Sequence, residues 1–407
     1  MTRQAMTRQF AMTLAATALL LAAAGASAKS VGPKQMEPRH VLKPPAGEGY
    51  FDDVFAIDAE GKRVAVIRTD GATFAKVEIY DAGTGKALSG FELPGKGQGL
   101  FPVEMELLSG NGGVVIIGRE KADDEAPLFA FRFDGAGKPA GKVGPATAFG
   151  RPPADGTARA RLLVAFTRKL GAKGAEATFT VAPYDITTLA PAGKPRIHKV
   201  DVSGELKPPG VRFIGFYDGY TRVFSERQGE YDKKGDVRAP SKMAIVDAIT
   251  GKIDKEGPIA DLVGWAQTGQ LRQQFLGRSV FVELNDDGSG VDVVDAMGKK
   301  HPSALAVPFH MYDPKSLRVE EGPTPGRLTF GLGVDPVNKD AVQRQKADLP
   351  MLDVYSADAA DGTSKLRGRV FTPRPVTWRT RADVLVVLKR WKSFSRGGDE
   401  LQIYSLP

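Results

Sequence analysis

One short motif recurs along this chain: an apolar strand, an Asp at the first bend, then Gly-Lys where the chain turns back. Clear copies close on Asp81, Gly85 and Lys86 and on Asp247, Gly251 and Lys252. Shorter ones close on Asp134, Gly137 and Lys138 and on Asp295, Gly298 and Lys299. Repetition of one supersecondary unit constrains a fold more than any composition does, because a unit that cannot bury its own apolar face must stack on its neighbours.

The best-formed unit runs from Asp52 to Leu93. Strands are expected at Val54–Ile57, Arg63–Arg68, Lys76–Tyr80 and Lys86–Leu93, separated by the turns at Asp58–Gly61, Thr69–Ala72 and Asp81–Gly85. Four short antiparallel strands in about 45 residues have the size of one propeller blade. The same grammar continues through Val114–Ile117 with Leu128–Phe133, Leu162–Phe166 with Ala177–Val181, and Val211–Phe216 with Thr221–Phe224 and the copy at Met243. It goes on through Ser279–Glu283 with Val291–Val294 and Leu328–Phe330 with Met351–Tyr355, and ends at Val376–Trp378, Val384–Leu388 and Leu401–Tyr404. The second strand of most units is apolar throughout, as expected for a strand covered on both faces.

The last unit has three strands, and an uncovered edge invites aggregation. Arg39–Lys43, just ahead of the first unit, is placed to supply the fourth. The expected fold is therefore all-β: a single propeller domain over 29–407, of seven four-stranded blades, closed by an N-terminal strand at about 38–44 pairing with the last blade. Six or eight blades also fit the spacing, because the third and sixth units are irregular. An open β-solenoid is the rival architecture, although its repeats would be shorter.

The turns Asp81–Lys86 and Asp247–Lys252 resemble the repeat of the PQQ-like and YVTN/WD40-like propeller superfamily. The resemblance covers the strand-turn-strand part of four units and implies the fold, not a function, since such folds host many unrelated activities. Quinoprotein dehydrogenases of that superfamily carry a Trp at the end of most repeats. Here Lys86 leads into Ala87–Phe91 and Lys252 into Ile253–Glu256, without Trp, and Trp265, Trp378 and Trp391 do not recur in register. No cofactor is expected. Relatives that serve as outer-membrane assembly scaffolds are lipid-anchored through a Cys, which this chain lacks.

The first residues read as a targeting segment. Arg3 and Arg8 precede an apolar stretch from Phe10 to Ala24, and Ala26, Ser27 and Ala28 make a small-residue cleavage site, so 1–28 is expected to be a cleaved secretory signal. No later apolar run approaches membrane length. A periplasmic or secreted location follows, with a monomer as the expected state. With no Cys, disulfides, thiol catalysis and Cys-ligated zinc are excluded. A formal charge of +8 falls to +6 when Arg3 and Arg8 leave, and 56 basic residues intersperse with 48 acidic ones rather than forming blocks. That pattern argues for solubility and against nucleic acid.

Motifs for chemistry are sparse. The nucleophile frames built on Gly-x-Ser-x-Gly or Ser-x-x-Lys do not occur. His40, His198, His301 and His310 lack metal-ligand spacing. Asn285–Asp292 is rich in oxygen ligands, but its spacing departs from a calcium loop and Asp-Gly between strands is a common hairpin signal. Gly135–Lys138 and Gly83–Lys86 lack the phosphate-loop frame. No metal and no catalytic residue is assigned.

One constellation stands out. An Arg sits at or just past the end of the second strand in five units: Arg68, Arg119, Arg168, Arg227 and Arg390. The long loops that follow (Arg119–Ala126, Arg168–Ala175, Glu226–Pro240, Asp335–Pro350 and Trp391–Asp399) belong to the same end of the sheets. A built-up, basic face is expected there, and such faces in repeat proteins often bind. Guanidinium groups suit carboxylate or phosphate partners, and Trp391 adds an aromatic contact. The alternative is that Arg keeps exposed strand ends soluble, diluted by Glu120, Asp123, Glu226 and Asp399. The first functional reading is a non-enzymatic exported module that binds a protein, peptide or anionic polymer through Arg68, Arg119, Arg168, Arg227, Arg390 and Trp391. The second is a hydrolase or lyase on polysaccharide or peptide, its carboxylates gathered from several blades. The third is a structural surface protein.

Overall fold

Strands with two apolar faces need a neighbouring layer on each side. The computed structural model describes residues 35–71, 74–94, 100–110, 112–150, 162–170, 176–201, 212–217, 222–227, 230–231, 237–239, 242–247, 253–258, 272–275, 278–285, 289–295, 297–321, 326–334, 351–358, 360–371, 377–389 and 400–406. They are all-β, with seven four-stranded antiparallel sheets and one two-stranded hairpin. Among the described residues no helix is long and apolar enough to cross a membrane.

Sheets 1 to 6 each take four strands in chain order. Sheet 1 is Tyr50–Ile57, Arg63–Thr69, Ala75–Asp81 and Ala87–Glu92. Sheet 2 is Phe101–Leu107, Val114–Arg119, Leu128–Phe133 and Pro139–Ala146. Sheet 3 is Ala148–Gly150, Leu162–Leu170, Glu176–Asp185 and Arg196–Asp201. Sheet 4 is Arg212–Tyr217, Arg222–Arg227, Lys242–Asp247 and Ile253–Pro258. Sheet 5 is Arg272–Phe275, Arg278–Leu284, Val291–Val294 and Lys300–Pro302. Sheet 6 is Arg318–Glu321, Arg327–Gly333, Met351–Asp358 and Ser364–Phe371. Sheet 7 joins Thr377–Arg381, Val384–Lys389 and Glu400–Ser405 to His40–Leu42, which pairs antiparallel with Glu400–Ser405 in the register His40 to Ile403. The hairpin, Glu230–Tyr231 with Val237–Ala239, lies inside the long connection expected between Glu226 and Pro240.

Alternation along the second strands feeds separate cores. In sheet 1, Val64 and Val66 pack with Val384, Val386 and Leu388 of sheet 7. Ala65 and Ile67, between them, pack with Met105, Leu107, Val114 and Ile116 of sheet 2. Val115 and Ile117 turn the other way and join Leu163 of sheet 3. Leu385 and Val387 of sheet 7 meet Leu352, Val354 and Val370 of sheet 6. Sheet 6 in turn shares Phe330, Leu332 and Tyr355 with Val282, Val291 and Val293 of sheet 5. Each fully buried side chain of this kind contributes roughly 1.5–3 kcal/mol.

The repeated Asp and Gly have distinct tasks. Asp81 donates its N–H to Lys86 O at 2.9 Å, and its carbonyl accepts from Gly85 N–H at 2.8 Å. The same pair of bonds recurs at Asp134 with Gly137, Asp295 with Gly298 and Asp358 with Gly362. The Asp81 carboxylate also accepts the Thr84 N–H and hydroxyl at 2.7 and 2.8 Å. Those two bonds hold its pKa below the ordinary carboxylate value.

The glycines are needed twice over. Gly85, Gly137 and Gly362 have φ of 68°, 81° and 71°, where a Cβ is strained. Each also lies against a side chain from the fourth strand of the preceding sheet. A Cβ on Gly137 would stand 2.2 Å from Phe91, one on Gly362 would stand 2.1 Å from His301, and one on Gly85 would stand 2.8 Å from His40. His40 belongs to sheet 7 and Gly85 to sheet 1, so the last and first sheets meet as interior neighbours do. In sheet 3 the roles exchange: Leu189 takes the left-handed position, at φ 55°, with Gly141 across from it.

An N-terminal strap crosses three sheets. Gln35 forms a parallel bridge with Arg369 of sheet 6, and Met36 N–H donates to Arg369 O at 2.9 Å. His40–Leu42 completes sheet 7. His40 Nε2 lies 2.7 Å from Gly83 O of sheet 1, and Lys43 pairs with Glu400 at 2.8 Å.

Two measurements test this account of the turns. Gly110 has φ 63° and open space around it, so Gly110→Ala carries a backbone penalty alone, about 1 kcal/mol. Gly137→Ala adds the clash with Phe91 and costs about 3 kcal/mol in urea unfolding; equal losses would refute the stacking role. Because the native pKa of Asp81 is depressed, its stabilisation is present above the unfolded value of about 3.9 and is lost as pH falls through the native one. Asp81→Asn therefore flattens the acid limb of stability against pH.

Candidate functional site

In a sheet of four antiparallel strands, the end of the second strand, the start of the third and the end of the fourth lie together. Arg68, Arg119, Arg168 and Arg227 map to that end. Arg68 is next to last in Arg63–Thr69, and Arg119 and Arg227 are last in Val114–Arg119 and Arg222–Arg227. Arg168 lies near the end of Leu162–Leu170 and pairs across to Phe179. The side chains of Arg168 and Arg227, and all of Arg390 and Trp391, lie outside the described residues.

Arg68 is an internal tie. Its side chain is buried, with Nε 2.8 Å from Glu78 Oε1 and Nη1 2.9 Å from Glu48 Oε2. Nη1 also donates to Glu48 O at 2.8 Å, and the guanidinium lies 5.2 Å from the Phe74 ring centre. Burial opposes its charge, but the pairs with Glu78 and Glu48 outweigh burial and raise its pKa. Tyr80 donates to the other Glu78 oxygen at 2.7 Å; burial first, then Glu78, pushes this phenol up. Arg68 thus fastens Glu48, in the link from strap to sheet 1, to the second and third strands. Arg119 is largely buried; Nη1 stands 3.6 Å from Asp124, and its Nε lacks a hydrogen-bond partner among the described residues.

The histidines serve the junctions. His301 Nε2 lies 2.7 Å from Asp295 Oδ2, which holds that carboxyl below its ordinary range. His310 is exposed in the 3-10 turn Phe309–Met311, and the side chain of His198 is outside the described residues. Asn285 spends its side-chain oxygen on the N–H groups of Ser289 and Gly290, at 2.8 and 2.9 Å. Asp286 and Asp287 lie outside the described residues.

Beside that Asn285 turn, at the same end of the sheets, is a cleft of about 540 Å³. Asn285, Ser289 and Val291 form one side; Pro302, Ser303 and the link Leu305–Phe309 form the other. None of the described lining residues is charged. Mixed apolar and neutral polar walls of this size suit a small molecule or an inserted side chain. The Ser303 hydroxyl is buried without a hydrogen-bond partner among the described residues.

The wall opposite Asn285 is fixed from below. Ala306 N–H donates to Tyr355 OH at 2.9 Å. Tyr312 donates its proton to Asp353 Oδ2 at 2.5 Å, so across the 2.9 Å contact between the phenols Tyr355 must donate to Tyr312. Asp353 is held in turn by Arg369, with Nε on Oδ1 at 2.5 Å and Nη2 on Oδ2 at 2.8 Å. All four side chains are buried. Burial, followed by Asp353, raises both tyrosine pKa values, so both phenols remain proton donors. Sequence reasoning missed this group; its trace was an Asp inside the apolar run Met351–Tyr355. It also missed Lys389, the buried last residue of Val384–Lys389, which donates to Phe371 O and whose pKa burial lowers against the pull of Glu400 and Glu37.

No family model and no curated protein matches this chain. Among solved structures it is similar to the β-propeller domain of the Trilobed protease from Pyrococcus furiosus, described as having an open velcro topology. The identity is 12% over 77% of this chain and 80% of that one, with a TM-score of 0.42. It is also similar to Saccharomyces cerevisiae Sqt1, at 9% identity over 92% of this chain and all (100%) of that one, with a TM-score of 0.42. No residue role passes to this chain from either.

The two described arginines separate in a stability experiment. Arg68→Ala removes charge-assisted bonds and strands Glu78, and lowers stability by about 2–3 kcal/mol. Arg119→Ala, whose ion pair is long and reaches an exposed carboxylate, changes it by less than about 1 kcal/mol. Equal urea midpoints for the two variants would refute the role of Arg68 as a tie.

Proposed function

We propose that this protein is an exported, non-enzymatic β-propeller of seven blades, closed by its N-terminal strand, that binds a protein or peptide partner at the end of the sheets where the second strands finish. The observation that carries this reading is the cleft between Asn285 and Phe309, whose far wall is held in place by buried hydrogen bonds before any ligand arrives. A wall already in position spares the ordering cost of association. Pro302, Leu305, Val307, Pro308 and Phe309 suit an apolar side chain from the partner, and the neutral polar groups of Asn285 and Ser289 suit its backbone. We assign Arg119, Arg168, Arg227, Arg390 and Trp391, on their positions in the sequence, to the outer part of that surface, where charge sets approach rate and orientation more than affinity. Arg68, paired with Glu48 and Glu78, is left out of that surface in this reading. Export rests on the basic, apolar and small-residue order of 1–28.

A photo-crosslinking residue placed at Phe309 tests the site, with one at the exposed Leu88 on the fourth strand of sheet 1 as control. Irradiation of cells should give a discrete adduct from position 309 and none from 88, and combined Arg119, Arg168 and Arg227 alanine substitutions should slow its formation. Adducts equal at both positions, or at neither, would overturn the reading.

A further inference from the structure

The strap and the cleft lie at two ends of one line of hydrogen bonds. Met36 N–H holds Arg369 O in the fourth strand of sheet 6. The guanidinium of that residue holds Asp353, Asp353 holds Tyr312, Tyr312 holds Tyr355, and Tyr355 holds the Ala306 N–H in the cleft wall. We propose that docking of Gln35–Met36 on sheet 6 sets the position of Ala306 and so regulates the cleft. The inference rests on reading that cleft as the recognition site, and it names what controls it.

Three features favour transmission along this line. First, a fully buried carboxylate must follow its cation, because leaving Asp353 unpaired would strand a charge in an apolar core. Second, the Tyr312 hydroxyl donates to Asp353 and the Tyr355 hydroxyl to Tyr312, so a shift of Asp353 draws both phenols with it. Third, the linking segment is pinned at its ends by Ser303 N–H to Val291 O at 2.8 Å and by Asp313 N–H to Gly333 O at 2.9 Å, while Ala306 fastens its middle. The element with two states is the strap, docked or released. Its contact with sheet 6 is the Gln35 bridge, the Met36 N–H bond and the half-buried Met36 side chain at the edge of the core of Leu352, Val354 and Val370, so its release uncovers one partly buried side chain. Coupling of this kind is reciprocal: whatever holds the cleft wall in its present position favours the docked strap by the same factor.

Amide hydrogen exchange on the full chain tests the inference without a ligand. Met36→Pro removes the N–H that reaches Arg369 and should speed exchange of the Ala306 amide about tenfold, the loss of roughly one hydrogen bond. Met36→Leu keeps that N–H and the packing of the side chain on Leu352, Val354 and Val370, and should leave Ala306 at its original rate. Tyr355→Phe should speed Ala306 by a similar factor, with no further gain on adding Met36→Pro, since both break one line. In the reverse direction, Tyr355→Phe should speed exchange of the Met36 amide, a measurement that stands even where the proline variant fails to fold. An Ala306 rate unchanged by Met36→Pro in a folded chain, increments that multiply in the double variant, or a Met36 rate indifferent to Tyr355→Phe would each overturn the coupling. Absence of crosslinking at Phe309 would instead remove the recognition reading and leave these rates as they are.

Discussion

Burial of both faces of a sheet is the constraint on which sheets 1, 2, 6 and 7 depend, each packed between two others. A strand such as Val384–Lys389 gives Val384, Val386 and Leu388 to one core and Leu385 and Val387 to another. A lone sheet of this kind would expose an apolar face on each side, and a row of them would expose one at each end. Sheet 7 packs on sheet 1 through one such core, as sheet 1 packs on sheet 2 through another. The strap takes part in the same packing: His40–Leu42 pairs with Glu400–Ser405 as the outer strand of sheet 7, and Leu42 joins the core shared with sheet 1.

The repeat was readable because it is local. Asp81 bonds within five residues of itself, so its signature survives in the sequence wherever the turn does. What the glycine faces was not readable, since Phe91, His301 and His40 come from a different sheet in each case. The third unit shows why a motif search finds it irregular. Leu189 stands where the others have Gly, and its side chain lies beside Gly141 of the preceding sheet, 48 positions earlier in sequence.

Charge was the least readable property. The end-of-strand arginines were placed correctly along the chain, since Arg119 and Arg227 do close their strands. A position does not disclose a partner. Glu48 and Glu78 bracket Arg68 from opposite directions in sequence, and together they turn an apparent ligand-binding group into a fastener between the strap link and sheet 1. Arg68 therefore brings two carboxylates with it to this end of the sheets. The sequence offered no sign of the cleft, because Asn285 and Phe309 come from one hairpin turn and one inter-sheet link with unremarkable compositions.

The buried pair of Arg369 and Asp353 raises a question that stability alone does not answer. Replacing a buried ion pair with well-packed apolar side chains is often neutral or stabilising, so its presence argues for a role in positioning. Directionality supplies one here. An apolar contact under Ala306 would tolerate sliding of the link, because dispersion has no preferred angle. The hydrogen bonds from Ala306 through Tyr355 and Tyr312 to Asp353 fix both distance and direction, and the charge at their end makes each too costly to leave unmade. A surface link between two sheets is thereby given the definition of a core, at the place where the cleft requires a wall.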